Sequence, residues 1–241
     1  MRVHVLIENT SCHSDLVAEH GLSLLIETAA GLRILFDAGA TAAFADNAQH
    51  MGVDLASVDV AVLSHGHFDH GGGLARFLEL NHHAPIWVSP HAFDAHYNAN
   101  GKNIGLSPEL RLHPQIRMLH AEQLELAPGV QLHRASNMPT PHGAEGQDMT
   151  TVINGERVAD DFRHEQYLQI EEKGKRILIV DDVISTGQSL LALEKLVELA
   201  GGNIVGKMAV LAEGHAATRD DITVLGPLPL FDAEGKPLPI Q

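Results

Sequence analysis

The chain has 241 residues, of which 44% are hydrophobic, and its 31 acidic residues against 16 basic ones give a formal net charge of −15. This length and composition suit one large α/β domain or two small ones. The acidic balance excludes the basic stripe that nucleic-acid binding requires. No apolar run approaches the ~20 residues of a membrane span, so we expect neither nucleic acid nor a membrane as a partner.

The chain has one cysteine, Cys12, which rules out an internal disulfide. Freedom from disulfides is typical of cytoplasmic proteins. Met1–Ile7 has the pattern of a first strand and not that of a cleavable signal peptide. The sequence therefore predicts a cytoplasmic location, and it leaves the oligomeric state open.

Strands dominate the start of the chain. Apolar runs bounded by turn residues predict strands at 3–8, 22–28, 32–36 and 60–64. A helix is predicted over Thr41–Met51, because Gly52 provides its stop. Further along, the pattern predicts helices at 72–80 and 90–97, strands at 86–89, 116–120 and 130–133, and loops at 98–114 and 137–148.

The second half changes character. Arg176–Asp182 is an apolar run that ends in two carboxylates. A helix is predicted over Gln188–Ala200 because Leu190, Leu193, Val197 and Ala200 share one face. A further strand is predicted over Asn203–Leu211. Together these segments predict a β-α-β unit with parallel strands.

The most informative segment is SHGHFDHGGG at Ser64–Gly73, directly after the apolar run Val60–Leu63. It holds three imidazoles and a carboxylate within six residues, all at the end of a predicted strand. His65 and His67 are two residues apart and can bind one ion, and Asp69 and His70 can bind a second. Imidazole with carboxylate suits zinc, iron or manganese.

Two divalent cations about 3.5–4 Å apart would lower the pKa of a shared water towards ~7. Asp69 would then be a catalytic residue as well as a ligand, taking part in proton transfer near that water. Metal ions would also attract an anionic small molecule to a chain of strongly negative charge. The composition and the motif together predict a small anionic or phosphorylated substrate.

The motif resembles the H-x-H-x-D-H-x-G signature of the metallo-β-lactamase superfamily. Other segments resemble one branch of it, usually described as dihydropteroate-synthase-like or as a 7,8-dihydropterin ribofuranosylaminobenzene-phosphate synthase; these are residues 18–28, 34–39, 103–106 and 160–166. The resemblance implies a metallohydrolase in an αββα sandwich, with Asp37 supporting the metal site from behind. From its own position, Asp37 could equally be a turn-capping residue before Gly39.

The resemblance breaks at a later strand. In the family, this strand ends in a Gly-Cys-Ser-His segment whose His is a further metal ligand, whereas here it ends in Val180–Ile184. Asp181 or Asp182 could substitute for that His. A later family His has a possible counterpart in His215, which follows the next predicted strand.

Ile177–Gly187 resembles instead the phosphoribosyl-pyrophosphate loop of type I phosphoribosyltransferases. By that resemblance Asp181 and Asp182 would meet ribose hydroxyls or hydrated magnesium, while Ser185, Thr186 and Gly187 would bind a 5′-phosphate at a helix N-terminus. The resemblance covers about residues 175–241, and the N-terminal half of the transferase family has no counterpart here.

We therefore predict an α/β fold in which a metallo-β-lactamase-like part, residues 1–175, is completed by a phosphoribosyltransferase-like β-α-β segment, residues 176–241, packed into the same sandwich. The fusion is a chimera, natural or constructed. The leading function is metal-dependent hydrolysis. The alternatives are a phosphoribosyl-phosphate-binding protein or transferase remnant, and a folded chimera that binds metal without turnover.

Overall fold

The computed structural model describes residues 1–11, 13–135, 149–172, 176–184, 188–199, 202–213, 216 and 219–228. The chain forms two compact units. The first comprises Met1–Leu124, Leu132–Thr140 and Ala144–Tyr167, and the second comprises Glu125–Gln131, Pro141–Gly143 and Leu168–Gln241. The expected domain boundary near residue 175 stays a prediction.

The described residues form strands and helices in mixed order. The strands are β1 (Arg2–Ile7), β2 (Ser23–Glu27), β3 (Arg33–Phe36), β4 (Val60–Val62), β5 (Ile86–Val88), β6 (His96–Tyr97), β7 (Ile116–Met118), β8 (Gln123–Ala127), β9 (Val130–Arg134), β10 (Thr150–Ile153), β11 (Glu156–Ala159), β12 (Gln166–Glu172), β13 (Arg176–Ile184), β14 (Asn203–Glu213) and β15 (Thr223–Leu228). The helices are α1 (Ala43–His50), α2 (Phe68–Gly71), α3 (Leu74–Leu80) and α4 (Gln188–Leu199), with 3-10 turns at Leu55–Ser57 and Pro108–Leu112.

The sheet of the first unit has the order β1-β2-β3-β4-β5-β7. The first three strands are antiparallel hairpin neighbours, and from β3 onwards each strand is parallel to the next. The sequence predicts each of these strands, within a few residues of its observed ends. Helix α1 connects β3 to β4, and α2 with α3 connects β4 to β5, as parallel pairing requires.

Continuous apolar runs place the parallel strands in the core. Every residue of β4 is buried, as are Ile86 and Val88 of β5, and this is the pattern of strands that are covered on both faces. Helix α1 is amphipathic and buries Phe44, Ala45 and Ala48. The carboxyl end of β4 therefore emerges from a well-packed core directly into the histidine-rich loop.

A small second sheet in the first unit has the order β11-β10-β6. The helix predicted at residues 90–97 is wrong, because residues 96–97 form β6 instead. His96 pairs with Thr151 and Tyr97 with Thr150, and both partners belong to β10. The pairing strand is more than 50 residues further along the chain, so local periodicity could not reveal it.

The third sheet has the order β15-β14-β13-β12-β9-β8. Its parallel pair β13 and β14 is joined by α4, which confirms the predicted β-α-β unit. Leu190, Leu193 and Val197 form the buried face of α4. The predictions had missed β8, β10, β11, β12 and β15.

None of the helices in the described ranges combines the length and the hydrophobicity that crossing a bilayer requires.

We predict that Gly73→Ala lowers the free energy of unfolding by about 1–3 kcal/mol, the usual range for overpacking. A Cβ at Gly73 would lie 2.1 Å from the carbonyl oxygen of Ala38 and 2.6 Å from that of Thr41. Because both are backbone atoms, neither can turn aside. Urea denaturation measures the change. Gly226→Ala is the matched control, since its Cβ would meet only Leu211 Cδ2 at 3.8 Å; equal midpoints for both variants would contradict the prediction.

Candidate metal centre

The histidine-rich loop begins where β4 ends and continues into α2. Ser64, His65 and His67 lie in the loop, while Asp69 and His70 lie in α2. The rings of His65 and His67 have centroids 4.7 Å apart, and the ring of His65 lies 4.1 Å from that of His70. The structure thus brings together the residues that the motif predicted to share a site.

Asp37 connects this loop to the neighbouring strand. It follows β3 and adopts a left-handed backbone conformation with φ of +60°. Its Oδ1 accepts a hydrogen bond from the Ser64 amide at 2.6 Å. Its Oδ2 lies 2.7 Å from both the Ser64 hydroxyl and His70 Nδ1. With Asp37 ionised, all three are hydrogen bonds to the carboxylate, and the His70 ring then carries its lone pair on Nε2.

Burial raises the pKa of the Asp37 carboxyl, and the contacts from His70 and Ser64 oppose that rise. The same burial acts in the other direction on the imidazoles. Desolvation, followed by the neighbouring rings of His70 and His67, lowers the pKa of His65 well below its ordinary value. A neutral imidazole is the form that binds metal ions.

Asp69 lies near two histidines, His70 and His20. Its Oδ2 is 3.8 Å from His70 Nε2 and 3.3 Å from His20 Nε2. His20 itself is mostly exposed, and its Nδ1 is 2.7 Å from Asn9 Oδ1. His20 was part of the segment that carried the family resemblance, but the sequence did not indicate its contact with Asp69.

A second group of residues, which we call the buried cluster, consists of His67, His96, Asp160 and His164. One potential ligand atom from each lies within 4.8 Å of all the others, and all four residues are buried. His96 comes from β6, and Asp160 and His164 come from the segment between β11 and β12. His67 therefore belongs to both the motif loop and the buried cluster.

The sequence did not predict the last three members of this cluster. Asp160 and His164 lie in a segment quoted for the family resemblance, but no role was inferred for them. His96 was assigned to a helix, and only its pairing in β6 turns it towards the loop. A signal for Asp160 and His164 was thus present in the motif DDFRHEQ, whereas none existed for His96.

Hydrogen bonding in the buried cluster is incomplete. Among the described residues, the Nε2 atoms of His67, His96 and His164 are buried and have no hydrogen-bond partner. Burying such atoms costs free energy unless a partner is supplied. A divalent metal ion is such a partner, and imidazole nitrogens with a carboxylate are a donor set that zinc, iron and manganese accept. The residues present therefore fit a metal ion.

The electrostatics of the buried cluster favour neutral rings for His67 and His164 beside an ionised Asp160. Burial opposes ionisation of Asp160, but its interactions with His164 and His96 outweigh it and hold the pKa of Asp160 far below its usual range. Burial also lowers the pKa of His164. For His67, burial, with the nearby rings of His164 and His96, lowers the pKa to about 3.

Other predicted site residues cannot be compared in the same way. The backbone of Asp181 and Asp182 lies in β13, where Asp181 pairs with Ala209. Ser185, Thr186, Gly187 and His215 lie outside the described residues, as does Cys12. Their proposed roles stay predictions.

Comparison with known proteins identifies two families. Residues 17–158 match the model of the metallo-beta-lactamase superfamily, and residues 142–227 match that of the phosphoribosyl transferase domain. The two matches overlap at residues 142–158. They confirm the predicted resemblance of the chain to both families, and with it the α/β fold class.

Two curated relatives each match one of these two parts of the chain. The chain is 36% identical over 102 residues to the 7,8-dihydropterin-6-methyl-4-(beta-D-ribofuranosyl)-aminobenzene-5'-phosphate synthase of Methanocaldococcus jannaschii, covering 39% of the chain and 34% of the synthase. It is 46% identical over 55 residues to the hypoxanthine/guanine phosphoribosyltransferase of Methanococcus voltae, covering 23% of the chain and 29% of the transferase. The matches span about a third of each relative's length.

A solved structure resembles the chain over most of its length. Tm1679, described as a metal-dependent hydrolase of the beta-lactamase superfamily, matches with a TM-score of 0.67 and 26% identity. The match covers 91% of this chain and 78% of that one.

We predict that the metal-free protein loses stability as the pH falls from about 6.5 towards 3. Because the pKa of His67 is about 3 in the folded protein and near 6.5 when unfolded, the unfolded chain binds the proton first. The unfolding free energy should therefore fall by up to about 1.4 kcal/mol per pH unit from His67 alone. Denaturant titrations of EDTA-treated protein at several pH values measure this slope.

In the same titrations His67→Gln should reduce the slope. His82→Gln, which alters an exposed histidine, should leave the slope as it is in the wild type. An identical pH dependence for the His67→Gln and wild-type proteins would show that His67 is not held neutral by the fold.

Proposed function

The chain belongs to the metallo-beta-lactamase superfamily, and on this basis we propose that it is a metal-dependent hydrolase of a small anionic, phosphorylated substrate. The observation that carries the proposal is the convergence of His65, His67 and His70 beside Asp69 at the end of β4. The lowered pKa values of His65 and His67 and the unpartnered nitrogen of His67 support the same interpretation. The likeness to Tm1679 adds a relative described as a metal-dependent hydrolase.

In this proposal His65 and His67 hold one divalent ion, and Asp69 and His70 hold a second. Zinc is the metal that the donor set favours, with iron and manganese as alternatives. When bound, such ions polarise a carbonyl or phosphoryl oxygen of the substrate. Asp181 is proposed as a further ligand in place of the family's missing His, and His215 as the counterpart of a later family His.

The chain's own residues position these groups and move protons. Asp37 holds the Nδ1 proton of His70, which directs Nε2 towards Asp69. Asp69 is about one-seventh exposed and contacts His20, so it can exchange a proton with solvent through that exposed imidazole. Asp69 is accordingly our candidate for the catalytic proton-transfer residue.

We propose an anionic substrate because bound metal ions would give this acidic chain a local positive field. The chain carries a formal net charge of −15, so only a local positive field would attract an anion, and bound divalent ions supply one. A phosphate group is favoured because the name of the synthase relative contains a 5'-phosphate and because the C-terminal part matches the phosphoribosyl transferase domain. We also propose a cytoplasmic location, on the ground of the disulfide-free sequence.

The second candidate function is binding of a phosphoribosyl phosphate, with transfer chemistry retained or lost. It is favoured by the match at residues 142–227 and by the motif at Ile177–Gly187. Asp181 and Asp182 would meet ribose hydroxyls or magnesium, and Ser185, Thr186 and Gly187 would bind the phosphate.

We predict one to two transition-metal ions per chain, and we expect the double variant His65→Ala/His67→Ala to lose most of them. The reason is that both proposed ligands of the first ion are removed. Mass spectrometry of metal content in protein purified without added metal measures this. His82→Ala/His83→Ala is the matched control, because both of these histidines are exposed.

Hydrolysis is tested on the same proteins with p-nitrophenyl phosphate mono- and diesters, before and after EDTA treatment and after addition of zinc, manganese or iron. The proposal expects activity that requires metal and that the double variant lacks. Full metal content in the double variant would remove this loop from the site. Metal binding without turnover of any ester would favour a folded chimera that binds metal only.

We predict that ribose 5-phosphate binds with millimolar affinity at best, because the transferase half that would hold a pyrophosphate is absent. A helix N-terminus favours an anion by ~0.3–1 kcal/mol, and two hydroxyls add ~0.5–1.5 kcal/mol each. NMR titration of wild type and Thr186→Val/Gly187→Pro measures it, with metal content as the control that should not change. Absence of binding by the wild type at ligand concentrations up to ~100 mM, about the weakest dissociation constant that these energies allow, would refute a phosphate-binding role.

A further inference from the structure

One residue of the buried cluster lies outside every motif that the sequence revealed. His96 is in neither the H-x-H-x-D-H-x-G segment nor any other segment that carries the family resemblance. It is nevertheless 1% exposed, and its ring centroid lies 4.0 Å from that of His164 and 5.4 Å from that of His67. The second sheet, through the pairing of β6 with β10, places it there.

Asp160 determines which nitrogen of His96 can bind a ligand. Asp160 Oδ2 lies 2.8 Å from His96 Nδ1. Because an ionised carboxylate can only accept, Nδ1 carries the proton and Nε2 carries the lone pair. A carboxylate behind an imidazole is also the arrangement that orients histidine ligands of metal ions. In its neutral form, the ring of His96 therefore presents a lone pair at Nε2 without a change of tautomer.

Nothing in the described part of the chain meets that lone pair. His96 Nε2 is buried and has no hydrogen-bond partner there. The Nε2 of His67 is likewise buried and has no hydrogen-bond partner among the described residues. A tetrahedral ion with bonds of about 2.0–2.1 Å holds its ligand atoms about 3.4 Å apart, and one potential ligand atom from each residue of the buried cluster lies within 4.8 Å of the others.

His164 is less well prepared for a metal ion than His96. Its Nδ1 accepts a hydrogen bond from the Gly66 amide at 2.8 Å, so the proton of the neutral ring is on Nε2. That nitrogen lies 3.5 Å from Asp160 Oδ1. To bind an ion through Nε2, His164 would have to give up this proton, whereas His96 would not.

We infer that His96 is a ligand of the metal centre alongside His67, with Asp160 as the residue that positions it. This inference rests on the proposed function, because it adds a ligand to the ion that His67 holds. Asp160 keeps the imidazole in the tautomer that binds, and the cost of burying an unpartnered nitrogen is relieved only when the ion is present.

The sharpest variant is His96→Asn. The asparagine amide can still donate to Asp160 from the position of Nδ1, but it has no atom at the position of Nε2. It therefore removes the proposed ligand and retains the buried hydrogen bond. The positioning role is tested by Asp160→Asn, for which we expect metal affinity to fall by about 10–100-fold. His96→Asn should weaken binding by more than Asp160→Asn does.

The chain offers a matched control in a second histidine–aspartate pair. His91 Nδ1 lies 3.0 Å from Asp94 Oδ2, and both side chains are about one-third exposed. His91→Asn and Asp94→Asn make the same chemical changes outside the buried cluster. Both should bind metal as the wild type does.

The measurement is titration of the EDTA-treated full chain with Co²⁺, following the visible absorption that reports ligand number and geometry, together with the rise in Tm on adding Zn²⁺. The inference expects His96→Asn to change the Co²⁺ spectrum and to lose most of the Zn²⁺-dependent rise in Tm. If this variant does not fold, His96→Leu fills the same buried volume, and the same losses are expected.

The outcomes separate the inference from the proposed function. If wild-type protein binds no ion, both fail. His65→Ala/His67→Ala could lose metal while His96→Asn and His96→Leu keep the wild-type affinity and spectrum. In that case the histidine-rich loop binds metal as proposed, and His96 is not a ligand. If Asp160→Asn weakens binding more than His96→Asn, Asp160 itself is the ligand and the assignment of His96 is wrong.

Discussion

The geometry of the histidine-rich loop depends on the hydrogen bonds that the carboxylate of Asp37 accepts. It accepts hydrogen bonds from the Ser64 amide and hydroxyl and from His70 Nδ1, and so connects the end of β3 to the loop that follows β4. A non-glycine residue at φ +60° costs about 1–3 kcal/mol. Hydrogen bonds to a charged group contribute about 1.5–3 kcal/mol each, and these three oppose both the strain and the cost of burying the carboxylate, which raises its pKa.

The hydrogen bonds of Asp37 fix the histidine-rich loop, and as a result several imidazole rings lie close together. Once the loop is fixed, the rings of His65, His96 and His164 each lie within about 6 Å of the ring of His67. Burial and the neighbouring rings lower the pKa values of His65, His67 and His164, which favours their neutral forms. The proposed metal affinity and the predicted sensitivity of the metal-free fold to acid therefore have one physical origin.

The chain matches the models of two enzyme families, and the candidate ligands whose side chains the structure describes all belong to one of its units. The first unit contains the four residues of the buried cluster and also His65, Asp69 and His70. The β-α-β segment of the second unit resembles the part of a phosphoribosyltransferase that binds phosphate, without that family's N-terminal half. This division supports the proposed hydrolysis over the alternative of transfer, because the whole H-x-H-x-D-H-x-G motif is present while the transferase family is matched over one segment.

The sequence by itself determined the elements whose causes are local. Apolar runs located the strands from β1 to β5, the periodicity of α4 located the β-α-β unit, and the spacing of His65, His67, Asp69 and His70 located the loop. A resemblance pointed to Asp37, but its three hydrogen bonds depend on the approach of β3 and β4, which only the fold brings about.

Only the tertiary structure decided the membership of the buried cluster. His96 and Asp160 are 64 residues apart, and their contact depends on the pairing of β6 with β10, two short strands with no strong pattern of their own. The local sequence around His96 favoured a helix, and long-range hydrogen bonding overrode that preference. Spacing along the chain reveals ligands that one loop supplies, whereas ligands from separate strands meet only once the sheets have formed.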